Sequence, residues 1–237
     1  MKNEWKDALK EAFYAPEPEN KQDFLRKIRQ REIGTFELLI QQVRYIRLPV
    51  WLVAVAIIFL AVIGAILQTA ETRELIPAIM PFFAGISVLE TKRSEKYKMS
   101  ELEIVTRFSL RSVIFARMMI LGILYLIILC VTSPVIALSF GGKTVVAAIE
   151  ILIPYLFTMS VSFELERSTW GRKQEYGSLA VASLVFVFMI WIQSYDPKIL
   201  QRYLEMIESW GVLIVVLLAM VTIFEQYRTI KSEEEFV

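Results

Sequence analysis

The side chains that most often perform catalysis are scarce in this sequence. Its 237 residues contain no histidine and a single cysteine, Cys130. Without histidine the chain lacks the commonest general base and zinc ligand, and it cannot build a Ser-His-Asp triad. A lone cysteine within an apolar run forms no internal disulfide or metal cluster, and we expect it to pack as a small hydrophobic residue. We therefore expect no enzymatic activity, metal or cofactor.

One stretch has part of a phosphate-binding motif. Gly141, Gly142, Lys143 and Thr144 match the end of the Gly-x-x-x-x-Gly-Lys-Ser/Thr loop, but Ala137 occupies the position of its first glycine. The stretch also lies in a short turn with no strand before it. An ATP-driven activity would therefore need its ATPase on another chain.

Glu150 is an acidic residue inside an otherwise apolar run. An ionised carboxylate within a membrane is costly, so such residues usually have a function. Glu150 is a candidate for a translocation pathway. A structural hydrogen bond to Ser or Thr partners, or an orientation towards the outer interface, is the alternative.

The composition predicts an all-α integral membrane protein. Apolar residues make up 56% of the chain and the mean hydropathy is +0.51. Val50 to Leu67 contains no charged residue, and about 20 such residues cross the hydrocarbon core as a helix. Apolar runs predict six spans: Pro49–Leu67, Leu75–Leu89, Val113–Leu138, Thr144–Phe163, Gly177–Ile192 and Trp210–Phe224. Pro77 and Pro81 in the second span predict a kinked helix whose neighbours satisfy the freed backbone groups, in the interior of the bundle.

The distribution of charge predicts the orientation. With six spans, 22 of the 26 lysine and arginine residues fall on the side of the two termini, which the positive-inside rule places in the cytoplasm. The formal net charge of +1 gives no basic field for nucleic acid. Aromatic residues near the predicted interfaces indicate an aromatic belt: Trp170, Trp191, Tyr195, Tyr203 and Trp210.

Three regions follow from this topology. Residues 1–48 are a cytoplasmic and interfacial helical segment, residues 49–227 the six-span domain, and residues 228–237 a short cytoplasmic tail. Thr35 is a candidate N-cap, and apolar residues from Leu39 to Ile46 predict a helix lying on the inner leaflet before Pro49. The alternative is that this helix simply extends the first span.

The stretch between the second and third spans, at about 97–111, predicts a short amphipathic cytosolic helix. Met99, Leu102 and Val105 recur every third residue, while Glu103 and Arg107 form a favourable pair on the polar side. Such a helix suits docking in the groove of a partner, or it is a solvated connector at the membrane surface.

The run from Lys98 to Met119 resembles the segment after the second span in permease subunits of bacterial type-2 ATP-binding-cassette exporters. Met99-Ser100 stands where Gly-Thr is common, residues 101–105 match the core of the family's coupling helix, and 109–111 match its Ser-Arg stretch. Arg117 matches the basic residue that begins the third span, whereas the usual proline is missing. The predicted six-span topology, with both termini inside, and the interfacial helix before the first span also resemble this family.

This resemblance implies a multi-pass permease of the bacterial cytoplasmic membrane that pairs with a second permease subunit and binds a cytosolic ABC ATPase. The residues expected to contact the ATPase are Tyr97, Met99, Ser100, Glu101, Leu102, Glu103, Val105, Arg107 and Arg111. A second contact with the ATPase is expected at the start of the next cytoplasmic loop, from Glu164, Glu166 and Arg167. The rival function is a non-transporting membrane adaptor or regulator that recruits a cytosolic protein through its N-terminal segment.

Overall fold

The computed structural model describes residues 35–67, 70–92, 110–140, 143–168, 174, 176–195 and 197–234, and every regular element in these ranges is an α-helix. The helices are α1 (Thr35–Tyr45), α2 (Leu48–Leu67), α3 (Ala70–Thr91), α4 (Leu110–Phe140), α5 (Thr144–Arg167), α6 (Gly177–Tyr195) and α7 (Pro197–Glu234). From Phe36 onward they belong to one compact unit.

Five of these helices are long and apolar enough to span a membrane: α2, α3, α4, α5 and α7. The apolar part of α6, Gly177–Ile192, is shorter. The prediction of an all-helical fold is therefore confirmed in the described ranges, and five of the helices there have the length and apolar composition to cross a membrane.

Two central helices organise the bundle. The helix α5 packs against α3, α4, α6 and α7, while α3 packs against α2, α4, α5 and α6. In the window Glu74–Thr91 of α3, 67% of the residues are buried, so the predicted interior position of the second span is confirmed. Pro77 and Pro81 both lie inside this helix and are buried, where neighbouring helices surround the interrupted hydrogen-bond ladder.

Three aromatic rings fill the contact between α3, α4 and α5. Tyr125 and Tyr155 stack with their ring centroids 3.5 Å apart and their planes 7° from parallel, and Phe83 lies 6.3 Å from each. All three are buried. Burial of such large rings supplies much of the packing area available at this junction.

Glycines allow close approach at two other contacts. A Cβ on Gly85 of α3 would lie 2.9 Å from the carbonyl oxygen of Ser178 on α6. A Cβ on Gly211 of α7 would lie 2.8 Å from Cγ2 of Ile149 on α5. Because helices in a membrane associate mainly by close packing, the absence of a side chain at these positions sets the separation of the helices.

The ends of two helices differ from the prediction. The sixth span was predicted to begin at Trp210, but α7 begins at Pro197, so most of the expected external loop at 193–209 is helical. The same helix continues to Glu234, without a break at residue 228, where the cytoplasmic tail was predicted to begin. The helix α5 similarly includes residues 164–167, which were expected to begin a loop. Apolar length marks the part of a helix that crosses the lipid, whereas the helix itself continues as long as its backbone bonds and one buried face persist.

Cys130 is also placed differently from the expectation. It lies on α4 and is exposed rather than packed in the core. Exposed apolar residues such as Leu126 and Ile127 precede it on the same helix, so it belongs to the outer apolar surface of the bundle.

Candidate functional site

The described structure includes the helices on either side of the segment expected to contact an ATPase. Residues 97–109 lie outside the described ranges, and Arg111 is described only as part of the backbone of α4. The helix α3 ends at Thr91 and is followed by Lys92, and α4 begins at Leu110.

The end of α3 is polar but buried. The hydroxyl of Ser87 donates to the carbonyl oxygen of Phe83 at 2.8 Å, and that of Thr91 donates to the carbonyl oxygen of Ser87 at 2.9 Å. Glu90 and Lys92 are buried as well. The backbone N–H of Arg47, just before α2, donates to Oε1 of Glu90 at 3.3 Å. Since the first N–H groups of a helix lack partners within it, this carboxylate caps α2 from a neighbouring helix.

The beginning of α4 contacts the same short helix from another direction. Nε of Arg117 donates to Oε1 of Gln42 on α1 at 3.3 Å. Leu39 of α1 packs against the hydrophobic core, and Ile46, in the break after α1, is 6% exposed. The α1–α2 break is therefore fastened to the end of α3 by Glu90, and α1 itself to the start of α4 by Arg117.

The helix α1 is a separate element from the first span. It ends at Tyr45, and α2 begins at Leu48. Its predicted single apolar face divides in two, because Leu39 faces the core while Ile40 and Val43 are exposed. The helix α1 is thus not continuous with the first span, and its exposed apolar residues leave it with a side that suits a membrane surface.

The residues of the second expected contact, Glu164, Glu166 and Arg167, lie on different sides of α5. A nitrogen of Arg167 donates to both carboxylate oxygens of Glu164, three residues earlier. Another nitrogen of Arg167 lies 3.9 Å from Oε2 of Glu225 on α7. Glu166 points elsewhere: it is 2% exposed, and its Oε1 lies 3.8 Å from where a Cβ on Gly177 would be. Glu164 and Arg167 thus form one cluster, and Glu166 lies within the bundle.

Glu150 is buried near the opposite end of α5. It is 6% exposed, and Tyr203 of α7 is near enough to interact with it electrostatically. Lys143, just before α5, forms an exposed ion pair with Glu208 at 2.8 Å, and this hydrogen bond raises the pKa of Lys143. These residues gather polar groups of α5 and α7 at one end of their interface.

A further polar contact joins α5 and α7 between these ends. The hydroxyls of Ser160 and Thr222 lie 2.9 Å apart. Because each hydroxyl has one hydrogen, one of them donates across the interface and the other donates to a carbonyl of its own helix, Ser160 to Leu156 or Thr222 to Leu218. The interface thus carries polar contacts near both ends and within its length.

Several of these residues had no clear signal in the sequence. Gln42, Glu90 and Glu225 belong to no motif, and the contacts of the first two are with residues 75 and 43 positions away in the chain. Arg117 had one signal, its match to the basic residue of the exporter pattern. Tyr203 was assigned to an aromatic belt because its helix was expected to start later.

Within the described residues, no group of three or more His, Cys, Asp or Glu side chains is arranged to hold a metal ion. The polar groups at the ends of α3, α4 and α5 instead connect helices. Their chemistry is that of hydrogen bonds and ion pairs that fix one helix to another. Comparison of the chain with protein-family models, with curated proteins and with solved structures finds no match.

Proposed function

We propose that this protein is the membrane-spanning permease subunit of an ATP-driven exporter. ATP hydrolysis takes place on a separate cytosolic subunit, and the permease performs no bond chemistry. It crosses a bacterial cytoplasmic membrane six times, with α6 as the shortest span and both termini in the cytoplasm. A second permease subunit completes the transporter. The substrate is left open, because ordinary apolar and small polar side chains line the helices.

The membrane topology is supported by helix length and charge. Five apolar helices are long enough to span a bilayer, and α6 adds a shorter one. In the six-span arrangement, the excess of lysine and arginine on the side of the termini favours a cytoplasmic location for them. The segment at 97–111 then lies on the same side as a cytosolic ATPase.

The proposal is carried by two contacts beside that segment, which fasten the α1–α2 break to α3 and α1 to α4. Glu90, the next-to-last residue of α3, accepts a hydrogen bond from the Arg47 N–H, and Arg117 in α4 donates to Gln42 of α1. A force on the segment would therefore act on α1, α3 and α4 together.

The position of α3 would transmit such a force to the other helices of the bundle. It contacts α2, α4, α5 and α6, and close-packed helices move as discrete bodies rather than deforming continuously. A displacement at its end would be passed to most of the bundle. Glu150, at the far end of α5 beside Tyr203, is the candidate polar group of the pathway that such a movement would open.

Co-purification tests the proposal. The chain is co-expressed with an ATPase encoded beside its gene, and complexes are recovered through the permease. Leu102→Asp and Val105→Asp place a charge on the apolar side of the segment, and we expect both to abolish recovery of the ATPase while the permease stays in the membrane. Leu102→Met, a volume-conserving apolar change, is the matched control and should retain the ATPase.

Two outcomes would contradict the proposal. Retention of the ATPase by both aspartate variants would show that the segment is not the contact. Recovery of a non-ATPase cytosolic protein, lost on deletion of residues 1–20 but not in Leu102→Asp, would favour the adaptor function instead.

A further inference from the structure

A cluster of four charged side chains joins α5 to α7. Glu164 and Arg167 belong to the last turn of α5, and Glu225 and Arg228 belong to α7. The apolar runs of the fourth and sixth predicted spans end just before them. The described residues of α3, α4 and α6 add no charged group that acts on either carboxyl group. Two acids and two arginines therefore set the electrostatics of this cluster.

Arg167 is shared unequally between the two acids. Its Nη2 donates to both carboxylate oxygens of Glu164. Its Nη1 lies 3.9 Å from Oε2 of Glu225, which is beyond hydrogen-bonding distance. Both of these atoms are buried, and neither has a hydrogen-bond partner among the described residues. Glu225 therefore lacks the hydrogen bond from Arg167 that would favour its ionised form.

The two acids also contact each other. The carboxyl groups of Glu164 and Glu225 lie within hydrogen-bonding reach. Ionised carboxylates only accept hydrogen bonds, so a bond between these two groups needs a proton on one of them. The side chain of Glu164 is 57% exposed and that of Glu225 is 11% exposed. Because burial disfavours a charged carboxylate, Glu225 is the acid that carries the proton, and Glu164 connects it to solvent.

The helix α7 lies at the edge of the bundle. Only 17% of the residues in its window Arg202–Thr229 are buried, and it packs mainly against α5. The hydroxyls of Ser160 and Thr222 join the same two helices, four and three residues before the two acids. Residues at these spacings share one side of a helix, so the hydroxyl contact and the acid pair lie along the same seam. A change in the acid pair would therefore act on the attachment of α7.

We propose that Glu164 and Glu225 form a proton-binding site that controls how closely α7 is held to the end of α5. With the proton bound, the carboxyl group of Glu225 donates to a carboxylate oxygen of Glu164, which also accepts from Arg167. When the proton leaves to solvent, the two carboxylates repel each other and this part of α7 moves away from α5. The close contact of the two acids corresponds to the protonated state. This inference does not depend on export.

Infrared spectroscopy of the carboxyl groups tests the shared proton. The full-length protein in lipid nanodiscs is titrated from about pH 6 to about pH 9, where an ordinary glutamate with a pKa of about 4.3 is ionised throughout. We expect the carbonyl stretch of a protonated carboxyl group at the lower pH and its loss at the higher pH. This component should be missing from Glu225→Gln. It should also be missing from Glu164→Gln, which leaves one carboxyl group beside Arg167 and serves if Glu225→Gln does not fold.

Two other acids of the same interface provide controls. Glu208 is exposed and paired with Lys143, and Glu150 is buried near the opposite end of α5. Glu208→Gln and Glu150→Gln should both keep the component that Glu225→Gln loses. Absence of this component from the unmodified protein throughout the titration, or its retention in Glu225→Gln and Glu164→Gln, would overturn the proposal.

Thermal unfolding across the same pH range tests the effect on stability. While the folded protein holds a proton that the unfolded chain has released, stability falls as the pH rises, until the pair loses its proton. One such proton corresponds to roughly 3–5 °C per pH unit for a chain of this size. The amide of Glu225→Gln can donate to Glu164 at every pH, so the midpoint of the unmodified protein should fall by this amount relative to that variant. Midpoints that run parallel in the two proteins would contradict the proposed site.

Spin labels locate the movement. Val161 on α5 and Val221 on α7 are exposed, three and four residues before the two acids. Cys130→Ser removes the sole cysteine, so Val161→Cys and Val221→Cys carry the only labels. We expect the distance between the labels to be longer at the higher pH than at the lower pH, and to be equal at both once Glu225→Gln is added. A distance that does not change with pH in either background would overturn the proposed control of α7.

Discussion

The contact between α3 and α6 can be tested by adding one methyl group. In Gly85→Ala the new Cβ would lie 2.9 Å from the Ser178 carbonyl oxygen and 3.1 Å from Cβ of Ala182. Neither group is the end of a flexible side chain, so α6 as a whole must move. Overpacking of this kind costs about 1–3 kcal/mol. Because α3 is central to the bundle, the shift also disturbs its other contacts.

Gly122→Ala is the matched control. Gly122 lies inside α4, and a Cβ there would meet nothing within 4 Å among the described residues. Replacing glycine by alanine in a helix stabilises it by about 0.8–1 kcal/mol, and this gain applies to both variants. The difference between the two variants therefore isolates the clash, which is about 1–3 kcal/mol.

Thermal unfolding in one detergent gives the comparison. A change of 1 kcal/mol shifts the midpoint by roughly 2–4 °C for a chain of this size, so the midpoint of Gly85→Ala should lie about 2–12 °C below that of Gly122→Ala. Both variants should elute as the same species as the unmodified protein. If Gly85→Ala is as stable as Gly122→Ala, then α3 and α6 do not approach as closely as described. The proposed transmission of movement from α3 to α6 would then lack its close contact.

Two further perturbations test the polar contacts. Glu90→Ala removes the acceptor of the Arg47 N–H, and hydrogen bonds to charged groups contribute about 1.5–3 kcal/mol. Hydrogen exchange at the Arg47 amide should therefore accelerate at least tenfold, while the amides of α5 and α7 exchange at unchanged rates. An unchanged rate at Arg47 would show that the bond does not form. A double-mutant cycle of Ser160→Ala and Thr222→Val, followed by unfolding in detergent, should give a coupling of about 0.6 kcal/mol, because the hydroxyl that donates across the interface has a competing acceptor in its own helix. A coupling of zero would contradict the interhelical bond.

Membrane-spanning segments were the most predictable part of the fold. The first span was predicted as Pro49–Leu67 and observed as Leu48–Leu67, because an uninterrupted apolar run marks both ends. The start of α7, at Pro197, was not predictable in this way. Its first turns contain charged residues that are exposed, such as Arg202 and Glu205, while Ile207 and Gly211, four residues apart, are buried, and Gly211 lies against Ile149 of α5. A helix with a narrow buried face gives a weak signal when segments are found by apolar length.

The error at the end of α5 shows how a helix changes the meaning of neighbouring charges. In a loop, Glu164, Glu166 and Arg167 form one exposed group. In a helix, residues 164 and 167 share a side, while residue 166 is turned about 200° from residue 164. Glu164 and Arg167 accordingly pair, and Glu166 is buried near Gly177. Local sequence contains this separation once the helix is known to continue through residue 167.

Contacts between distant segments depend on which helices are neighbours. Arg117 and Gln42 are 75 residues apart, and Glu90 and Arg47 are 43 residues apart. Local periodicity places each residue on a helix face but does not choose the facing helix. The resemblance singled out Arg117 without its partner, and the partner explains how a basic residue at the start of α4 connects to α1.

The α1–α2 break connects the first span to the two helices on either side of residues 97–109. The backbone N–H of Arg47 in this break donates to Glu90 of α3, and Gln42 of α1 accepts from Arg117 of α4. A ligand shifts an equilibrium only as far as its affinities for the two states differ. An ATPase of the kind proposed must therefore slow hydrogen exchange at Arg47 if it prefers this arrangement, and must accelerate it if it separates α1 from α3. The sign of that change identifies which state of the bundle the ATPase stabilises.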